Sequence, residues 1–260
     1  MNKVLSERAV EQLAIRQLAD YRVANPGTCF SEPNFNIGLS SAYALQDTIT
    51  KIRVKSGERV IGYKVGCTGP GTRTQFGMDG PIRGTLFAGE ALTNKASINP
   101  NEFCQLAIEG EMAISVSENY EIKAAFPIIE LHNFIFRSNK KTLSELIANN
   151  GINAGIVLPE TKWQKSTKYI KDSGILTLRI NGSDIGNAGL WPNDGGPEES
   201  VIWLKNNLIE HGIELVPGDI ILTGTALGLY RVKDGDEIVI HIDGEPAVSC
   251  CIKTPHTTSI

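Results

Sequence analysis

The sequence lacks the features that direct a chain to nucleic acid or to a membrane. It has no tract of lysines and arginines, and its 260 residues carry a formal net charge of −4. We therefore expect no nucleic-acid partner. No apolar stretch approaches the roughly 20 residues of a membrane-spanning helix. Charges throughout residues 1–17 argue against a signal peptide, so we expect a cytoplasmic protein with no membrane partner.

Cysteine is scarce and is not arranged in pairs. The five cysteines are scattered, and none forms a C-x-x-C motif. The neighbours Cys250 and Cys251 cannot easily bond to each other. This pattern predicts reduced thiols rather than a disulfide framework. Histidine is scarcer still, and no histidine precedes His132.

The first part of the chain reads as two helices joined by a loop. Ser6 is a candidate N-cap for a helix with apolar residues at helical spacing, and a second helix is predicted from about Ser40 to Gly57. Residues 25–36 between them are rich in proline, glycine and asparagine. That composition predicts a loop, and its length would allow it to act as a lid.

From Val60 onward the pattern changes to strands. Short runs rich in valine, isoleucine and threonine alternate with turn residues, and two helices, beginning near Thr142 and Pro197, interrupt the series. The last fifty residues are predicted to form a compact β region. No strict βαβ alternation appears, which argues against a doubly wound parallel sheet. We predict an α+β fold in which a helical segment, 1–58, packs on a β-rich domain, 59–260, as one structural unit.

The stretch AIEGEMAISV places Glu109 and Glu111 in an otherwise apolar run. Side chains alternate faces along a strand, so the two carboxylates point the same way, about 6–7 Å apart at the backbone. Two like charges in a partly buried place raise at least one pKa unless a cation is present. Glu130 stands alone in the apolar run FPIIELHNF, and three carboxylates suit a hard divalent cation. A surface strand with solvated glutamates is the alternative, and the carboxylates alone leave both open.

Other candidate residues each have a structural alternative. Lys64, in IGYKVG, could bind an anionic substrate or transfer a proton, or it could be an edge residue whose charge reaches solvent. Thr223, Gly224 and Thr225 follow a strand in ILTGT. Their hydroxyl and N–H groups suit a substrate carboxylate, although ordinary strand-to-loop chemistry explains them equally well. We expect His132 to be a packing residue.

Five segments resemble, in this order, the fumarylacetoacetate hydrolase superfamily: IGYKVGCT, GMDGPIRGTLF, IEGEMA, PIIELHNF and VPGDIILTGTALGLYRVKDGDEIVIHIDG. Within it they are most similar to the 2-keto-4-pentenoate hydratase and 4-oxalocrotonate decarboxylase branch. The resemblance runs from about Ile37 to about Gly244. It implies a β-rich roll of mixed strands with flanking helices, in agreement with the prediction above, and a homo-oligomer.

The resemblance also implies roles for particular residues. The implied metal ligands, which would hold Mg²⁺ or Mn²⁺, are Glu109, Glu111 and Glu130. The active-site lysine of the branch matches Lys64, and its acidic partner matches Asp79 in GMDGP, which would otherwise be a turn aspartate. The predicted substrate-binding residues are Thr223, Gly224, Thr225 and Asn150.

Three departures from the family pattern bear on activity. The hydrolase branches resemble one another in a His-x-x-Glu dyad on an N-terminal lid, and this chain has CFSEPNF there, which favours the hydratase or decarboxylase branch. ANNGINAG stands where the branch carries a D-N-A-S-like motif. The spacing between Glu111 and Glu130 is shorter than in a typical hydratase.

These features predict a metal-dependent hydratase that adds water to a short 2-hydroxy-2,4-dienoate. A vinylogous 2-oxo-acid decarboxylase of the 4-oxalocrotonate type is the alternative enzyme, since it would use the same metal chelate. The departure in ANNGINAG motivates a second class, a degenerate member that binds metal and a 2-oxo acid without catalysis. A scaffold whose glutamates face solvent is the third.

Overall fold

The computed structural model describes residues 4–25, 37–69, 74, 80–135 and 142–255. Within them the helices are α1 (Glu7–Arg22), α2 (Leu39–Lys55), α3 (Leu143–Ala148), α4 (Thr161–Gln164) and α5 (Gly196–Glu210). The strands are β1 (Val60–Gly66), β2 (Ile82–Phe87), β3 (Ala91–Thr93), β4 (Ala96–Ile98), β5 (Leu106–Val116), β6 (Ile122–Asn133), β7 (Asn153–Leu158), β8 (Ile175–Ile180), β9 (Ser183–Gly189), β10 (Ile220–Leu222), β11 (Leu229–Arg231), β12 (Glu237–Ile242) and β13 (Glu245–Ile252). No helix in these ranges is long and apolar enough to cross a membrane.

The strands form two sheets with mixed pairing. The first sheet has the order β2-β1-β10-β5-β6-β7-β3. The short strand β11 pairs with the part of β5 that does not pair with β10. The second has the order β4-β13-β12-β8-β9. Most neighbours are antiparallel, whereas β1 with β10, β3 with β7, and β4 with β13 are parallel. The predicted α+β fold, a β-rich roll of mixed strands with flanking helices, is confirmed.

The main core lies between the two sheets. Ile108, Met112 and Leu131 of the first sheet and Ile240 of the second are fully or almost fully buried in one apolar cluster. The sheets approach so closely at Gly110 that a Cβ there would lie 2.4 Å from Ile240 Cδ1. One face of β5 and β6 is thus filled by the second sheet, which leaves the opposite face to line the site.

The N-terminal helices pack against the first sheet and against α3. Ser6 caps α1 by accepting the N–H of Ala9, as predicted. On α2, the Gln46 amide donates to the carbonyls of Arg83 and Ile147, at 2.9 and 2.7 Å. These bonds tie the helix to β2 and α3. The predicted boundary at residue 58 stays a prediction, and most of the predicted lid, residues 26–36, lies outside the described residues.

The last fifty residues form strands as predicted, including Ile220–Leu222 and Glu237–Ile242, but these strands are divided between the two sheets. β10 lies in the first sheet, between β1 and β5, whereas β12 and β13 lie in the second. The run Glu237–Ile242 is correctly predicted as a strand. Local sequence identifies such strands, but it does not encode the parallel pairing of β10 with a strand some 150 residues earlier.

Candidate active site on the β5–β6 hairpin

The candidate site is built on two adjacent antiparallel strands. Glu109 on β5 lies directly opposite Glu130 on β6, and Ala107 lies opposite His132. Because side chains alternate faces, Glu111 and His132 share the face of the first two glutamates. Glu111, Glu130 and His132 are at most 2% exposed, and the Glu109 side chain is 19% exposed.

This face borders a cavity of about 350 Å³. Its polar lining residues include Lys64, Glu109, Glu130, His132 and Thr225, and its apolar lining residues include Ile82, Phe134, Leu146, Ile152 and Leu229. A cavity of this size, with a few charged groups among apolar side chains, suits a small amphiphilic molecule. The predicted surface strand with solvated glutamates does not describe this buried arrangement.

Lys64 reaches the site from β1. Its Nζ lies 2.7 Å from Glu130 Oε1 and donates to the Gly151 carbonyl at 3.1 Å. The aliphatic part of the Lys64 side chain packs tightly against the backbone of Gly84. A Cβ at Gly84 would lie 2.8 Å from Lys64 Cγ, so no larger residue fits there without a shift. Burial disfavours the charged amine, but the nearby carboxylates outweigh burial and raise the pKa of Lys64. Lys64 is therefore a fixed, buried ammonium rather than an edge residue reaching solvent.

Glu130 is held by several donors. Its Oε1 contacts Lys64 and accepts a hydrogen bond from Asn153 Nδ2 at 2.8 Å, while its Oε2 lies 3.5 Å from His132 Nε2. Burial opposes ionisation, but the positive charges of His132 and Lys64 hold the pKa of Glu130 below its usual range. Glu130 is therefore the carboxylate that stays ionised.

Glu111 has the opposite character. Neither of its oxygens accepts a hydrogen bond from a donor among the described residues. Burial, followed by the charge of Glu130, raises the pKa of Glu111 well above its usual range. The site thus contains more acidic groups than Lys64 can neutralise, and burial beside Glu130 favours the protonated form of Glu111.

These residues fit a divalent cation. Glu109, Glu130 and His132 offer ligand atoms within 4.8 Å of one another, and the oxygens of Glu111 are buried without a donor. Carboxylate oxygens are the ligands that Mg²⁺, Mn²⁺ and Ca²⁺ take. Two added positive charges would offset the surplus of acid and remove the cost of ionising Glu111.

The predicted substrate-binding threonines lie at different depths. Thr225 borders the cavity, where its hydroxyl donates to the Gly110 carbonyl at 2.6 Å. Thr223 is fully buried, and its hydroxyl donates to the Met112 carbonyl at 2.9 Å. Gly224, between them, lines the cavity with φ +86°. Only Thr225 and Gly224 of this trio face the space where a ligand would lie.

Two further predicted residues are not brought to the cavity by the described structure. The Asn150 side chain pairs with the backbone of Thr85, accepting from its N–H at 2.7 Å and donating to its carbonyl at 2.8 Å. Asn150 borders a separate cavity of about 30 Å³ beneath α1 and α2. Asp79 lies outside the described residues. Substrate binding by Asn150 and catalysis by Asp79 both stay predictions.

Two residues of the site were not predicted from the sequence. His132, expected to pack, lies among the carboxylates, with Nε2 3.2 Å from Glu109 Oε2. Its position two residues after Glu130 on one strand is the signal that could have placed it on the same face. Asn153, in ANNGINAG, holds Glu130. No local pattern points to that contact, because it depends on the pairing of β6 with β7.

Comparisons with known proteins agree with this arrangement. No protein-family model matches the chain. The TodF product hydratase of Pseudomonas putida is 27% identical over 91% of this chain and 94% of its own length. The 2-keto-4-pentenoate hydratase 1 of Dechloromonas aromatica is 28% identical over 80% of this chain and 84% of its own length.

Solved structures show the same fold. The 4-oxalocrotonate decarboxylase of Pseudomonas putida G7, complexed with magnesium and adipate, superposes with a TM-score of 0.88 at 19% identity, over 96% of this chain and all of that chain. Fumarylpyruvate hydrolase of Pseudomonas aeruginosa, in complex with Mn²⁺ and pyruvate, gives a TM-score of 0.56 at 17% identity, over 76% of this chain and 90% of that chain. The resemblance to the fumarylacetoacetate hydrolase superfamily, in the branch of the 2-keto-4-pentenoate hydratases and 4-oxalocrotonate decarboxylase, is confirmed: the chain is similar in sequence to named hydratases and shares its fold with the decarboxylase.

Proposed function

We propose that the chain is a metal-dependent hydratase that adds water to a short 2-hydroxy-2,4-dienoate and forms a 4-hydroxy-2-oxo acid. The observation that carries this proposal is the group of Glu109, Glu130 and Lys64 in the lining of a cavity of about 350 Å³. The named hydratases among the relatives support the reaction type. A dienoate has an anionic end and an unsaturated apolar chain, which suit a cavity lined by both charged and apolar side chains.

Glu109, Glu111 and Glu130 are the proposed metal ligands. A divalent ion held there supplies Lewis-acid chemistry, because it stabilises negative charge that develops on the C2 oxygen of the substrate. The solved relatives are complexed with magnesium or Mn²⁺, and either ion suits these oxygens. Glu130 has the lowered pKa and is the carboxylate already ionised for this task.

Lys64 is the proposed proton carrier. The ammonium is buried beside the carboxylates, so it can bind the substrate carboxylate or deliver a proton within the cavity. Conversion of the dienol to the 2-oxo-3-enoate removes the proton of the C2 hydroxyl and adds one at C5. Water then adds its oxygen at C4 and a proton at C3. Asp79 is the second proposed proton carrier.

The apolar walls have a separate role. Phe134, Leu146 and Leu229 border the same cavity as the charged groups. They would hold the hydrocarbon part of the substrate in one orientation and limit the water around it. Thr225 and Gly224, on the remaining wall, are proposed to contact the substrate carboxylate.

The decarboxylase is the second candidate, because 4-oxalocrotonate decarboxylase covers 96% of this chain at a TM-score of 0.88. Incubation of the purified protein with 2-hydroxypenta-2,4-dienoate and with its carboxylated homologue separates the two. We expect loss of dienoate absorbance and a 4-hydroxy-2-oxo acid, both dependent on Mg²⁺ or Mn²⁺ and abolished by a chelator. Release of CO₂ from the homologue would instead identify the decarboxylase. Metal binding without either product would leave the degenerate binder.

We also propose that the chain assembles as a homo-oligomer. Ile202 and Ile209 on α5 are 63% and 64% exposed, seven residues apart on one helix face. A subunit contact on this face would remove both side chains from water. Light scattering on the eluting peak of a size-exclusion column measures the assembly mass, and a monomeric mass at micromolar concentration would contradict the proposal.

A further inference from the structure

Three potential ligand atoms lie close together near the open end of the β5–β6 hairpin, where β5 begins and β6 ends. His132 Nε2 lies 3.2 Å from Glu109 Oε2 and 3.5 Å from Glu130 Oε2. Neighbouring ligand atoms of an octahedral ion lie about 3 Å apart when the metal–ligand bonds are about 2.1 Å. The two spacings to His132 therefore need to shrink by at most about 0.5 Å to match such an ion, and all three ligand groups offer atoms within 4.8 Å of one another.

The hydrogen bonds of the described residues leave the His132 imidazole available to bind an ion. His132 is 2% exposed, and neither ring nitrogen makes a hydrogen bond of normal geometry with a described residue. A buried histidine that only packs usually satisfies at least one nitrogen. Glu130 Oε1 is occupied by Lys64 and Asn153, so the oxygen left for an ion is the one that faces His132.

We propose that His132 binds the divalent metal directly through Nε2, beside Glu109 and Glu130, and that the centre therefore prefers Mn²⁺, Co²⁺ or Zn²⁺ to Mg²⁺ and Ca²⁺. This inference rests on the proposed function, because it concerns the same metal. Imidazole is a good ligand for the transition metals, whereas Mg²⁺ and Ca²⁺ bind oxygen. A purely carboxylate site would show a weaker preference for the transition metals.

His132 lies close to both glutamates without a metal, with Nε2 3.2 Å from Glu109 Oε2 and 3.5 Å from Glu130 Oε2. The three side chains are therefore already grouped around one point before an ion binds.

Pulsed electron paramagnetic resonance on the Mn²⁺-loaded full-length protein tests the inference directly. We expect ¹⁴N modulation from one coordinated nitrogen, which is lost when the protein is labelled with [¹⁵N]histidine. In His132→Leu the modulation should disappear, and Mn²⁺ affinity, measured by equilibrium dialysis, should fall roughly 10- to 100-fold or more. The preference for Mn²⁺ over Mg²⁺ should fall with it.

A matched control uses a histidine far from the carboxylates. His241 lies in the second sheet, 7% exposed, near Arg179. His241→Gln should keep both the modulation and the Mn²⁺ affinity. The wild-type spectrum needs no variant, so an unstable His132→Leu protein does not remove the test.

The outcomes separate this inference from the proposed function. Mn²⁺ bound at one site without ¹⁴N modulation overturns the histidine ligand and leaves the hydratase proposal standing. Modulation without metal-dependent turnover supports the ligand and overturns the hydratase. Absence of Mn²⁺ and Co²⁺ binding overturns both.

Discussion

Lys64 Nζ and Glu130 Oε1 lie 2.7 Å apart although β10 and β5 separate their strands in the sheet. Three strand spacings span about 14 Å in a flat sheet, which is farther than a lysine side chain reaches. The contact therefore depends on the curl of the first sheet, which brings β1 toward β6 and encloses the cavity between them. This curvature joins the proposed proton carrier to the proposed metal ligands.

Loss of one carboxylate charge should abolish turnover without unfolding the chain. In Glu109→Gln the side chain keeps its size but loses the negative charge that favours a cation, and it is partly exposed. We expect metal-dependent dienoate loss, followed by ultraviolet absorbance, to fall about 100-fold or more, by analogy with the loss of a single electrostatic group in other active sites. The circular dichroism spectrum should be unchanged.

Glu118→Gln is the matched control for this charge change. Glu118 is exposed in the turn between β5 and β6, so the variant should retain wild-type turnover. Full activity of Glu109→Gln, or activity that persists in excess chelator, would disprove the metal-dependent mechanism.

Removal of the ammonium should affect catalysis more than metal binding. Lys64→Met keeps an aliphatic side chain packed against Gly84 but removes the proton carrier and one positive charge near Glu130. Turnover should fall roughly 10²- to 10⁴-fold, the range for general acid–base groups. Mn²⁺ affinity should be equal or higher, because a cation no longer competes for the carboxylates. Parallel loss of both quantities would show that Lys64 acts only by holding Glu130.

Crowding around Gly224 should make substitution there costly. A Cβ would lie 2.2 Å from Thr68 Oγ1, and φ is +86°. Gly235 has nearly the same φ, +87°, with nothing within 4 Å of a Cβ. We expect Gly235→Ala to lower the free energy of unfolding by about 1 kcal/mol, and Gly224→Ala by about 1–3 kcal/mol more. Equal values in urea titrations would show that Thr68 moves aside without cost.

The Cys67 thiol should react slowly near neutral pH. Burial raises the pKa of Cys67 to about 11, and only the thiolate is nucleophilic. Because the pKa is raised, the alkylation rate should increase about tenfold per pH unit between pH 8 and 10. Mass spectrometry of peptides after iodoacetamide treatment measures this rate. A plateau below pH 9 would contradict the buried position of the thiol.

A bound 2-oxo acid should protect Cys67 from alkylation, since the residue lines the cavity. Cys104 lies outside the cavity lining and serves as the internal reference in the same digest. Pyruvate with Mn²⁺ should slow labelling of Cys67 and leave the labelling of Cys104 unchanged. Equal protection of both residues would indicate a global effect on the fold.

The sequence allows prediction where the signal is local. The alternation of side chains along one strand places Glu109 and Glu111 on one face, and the cap at Ser6 marks the start of a helix. The pairing of distant strands is not local. The contact between Lys64 and Glu130, and the burial of the Thr223 hydroxyl against Met112, follow from the curl of the sheet and from the insertion of β10, which no short pattern encodes.

All of the acidic groups proposed to hold the ion, and His132, come from one hairpin, Leu106–Asn133, whereas the apolar walls come from several separate parts of the chain. The two sets can therefore change independently. Substitutions at Ile82, Leu146 or Leu229 can reshape the room available to a substrate while the ion-holding hairpin stays intact. In a protein built this way, the accepted substrate can change during evolution while the proposed metal-binding residues stay the same.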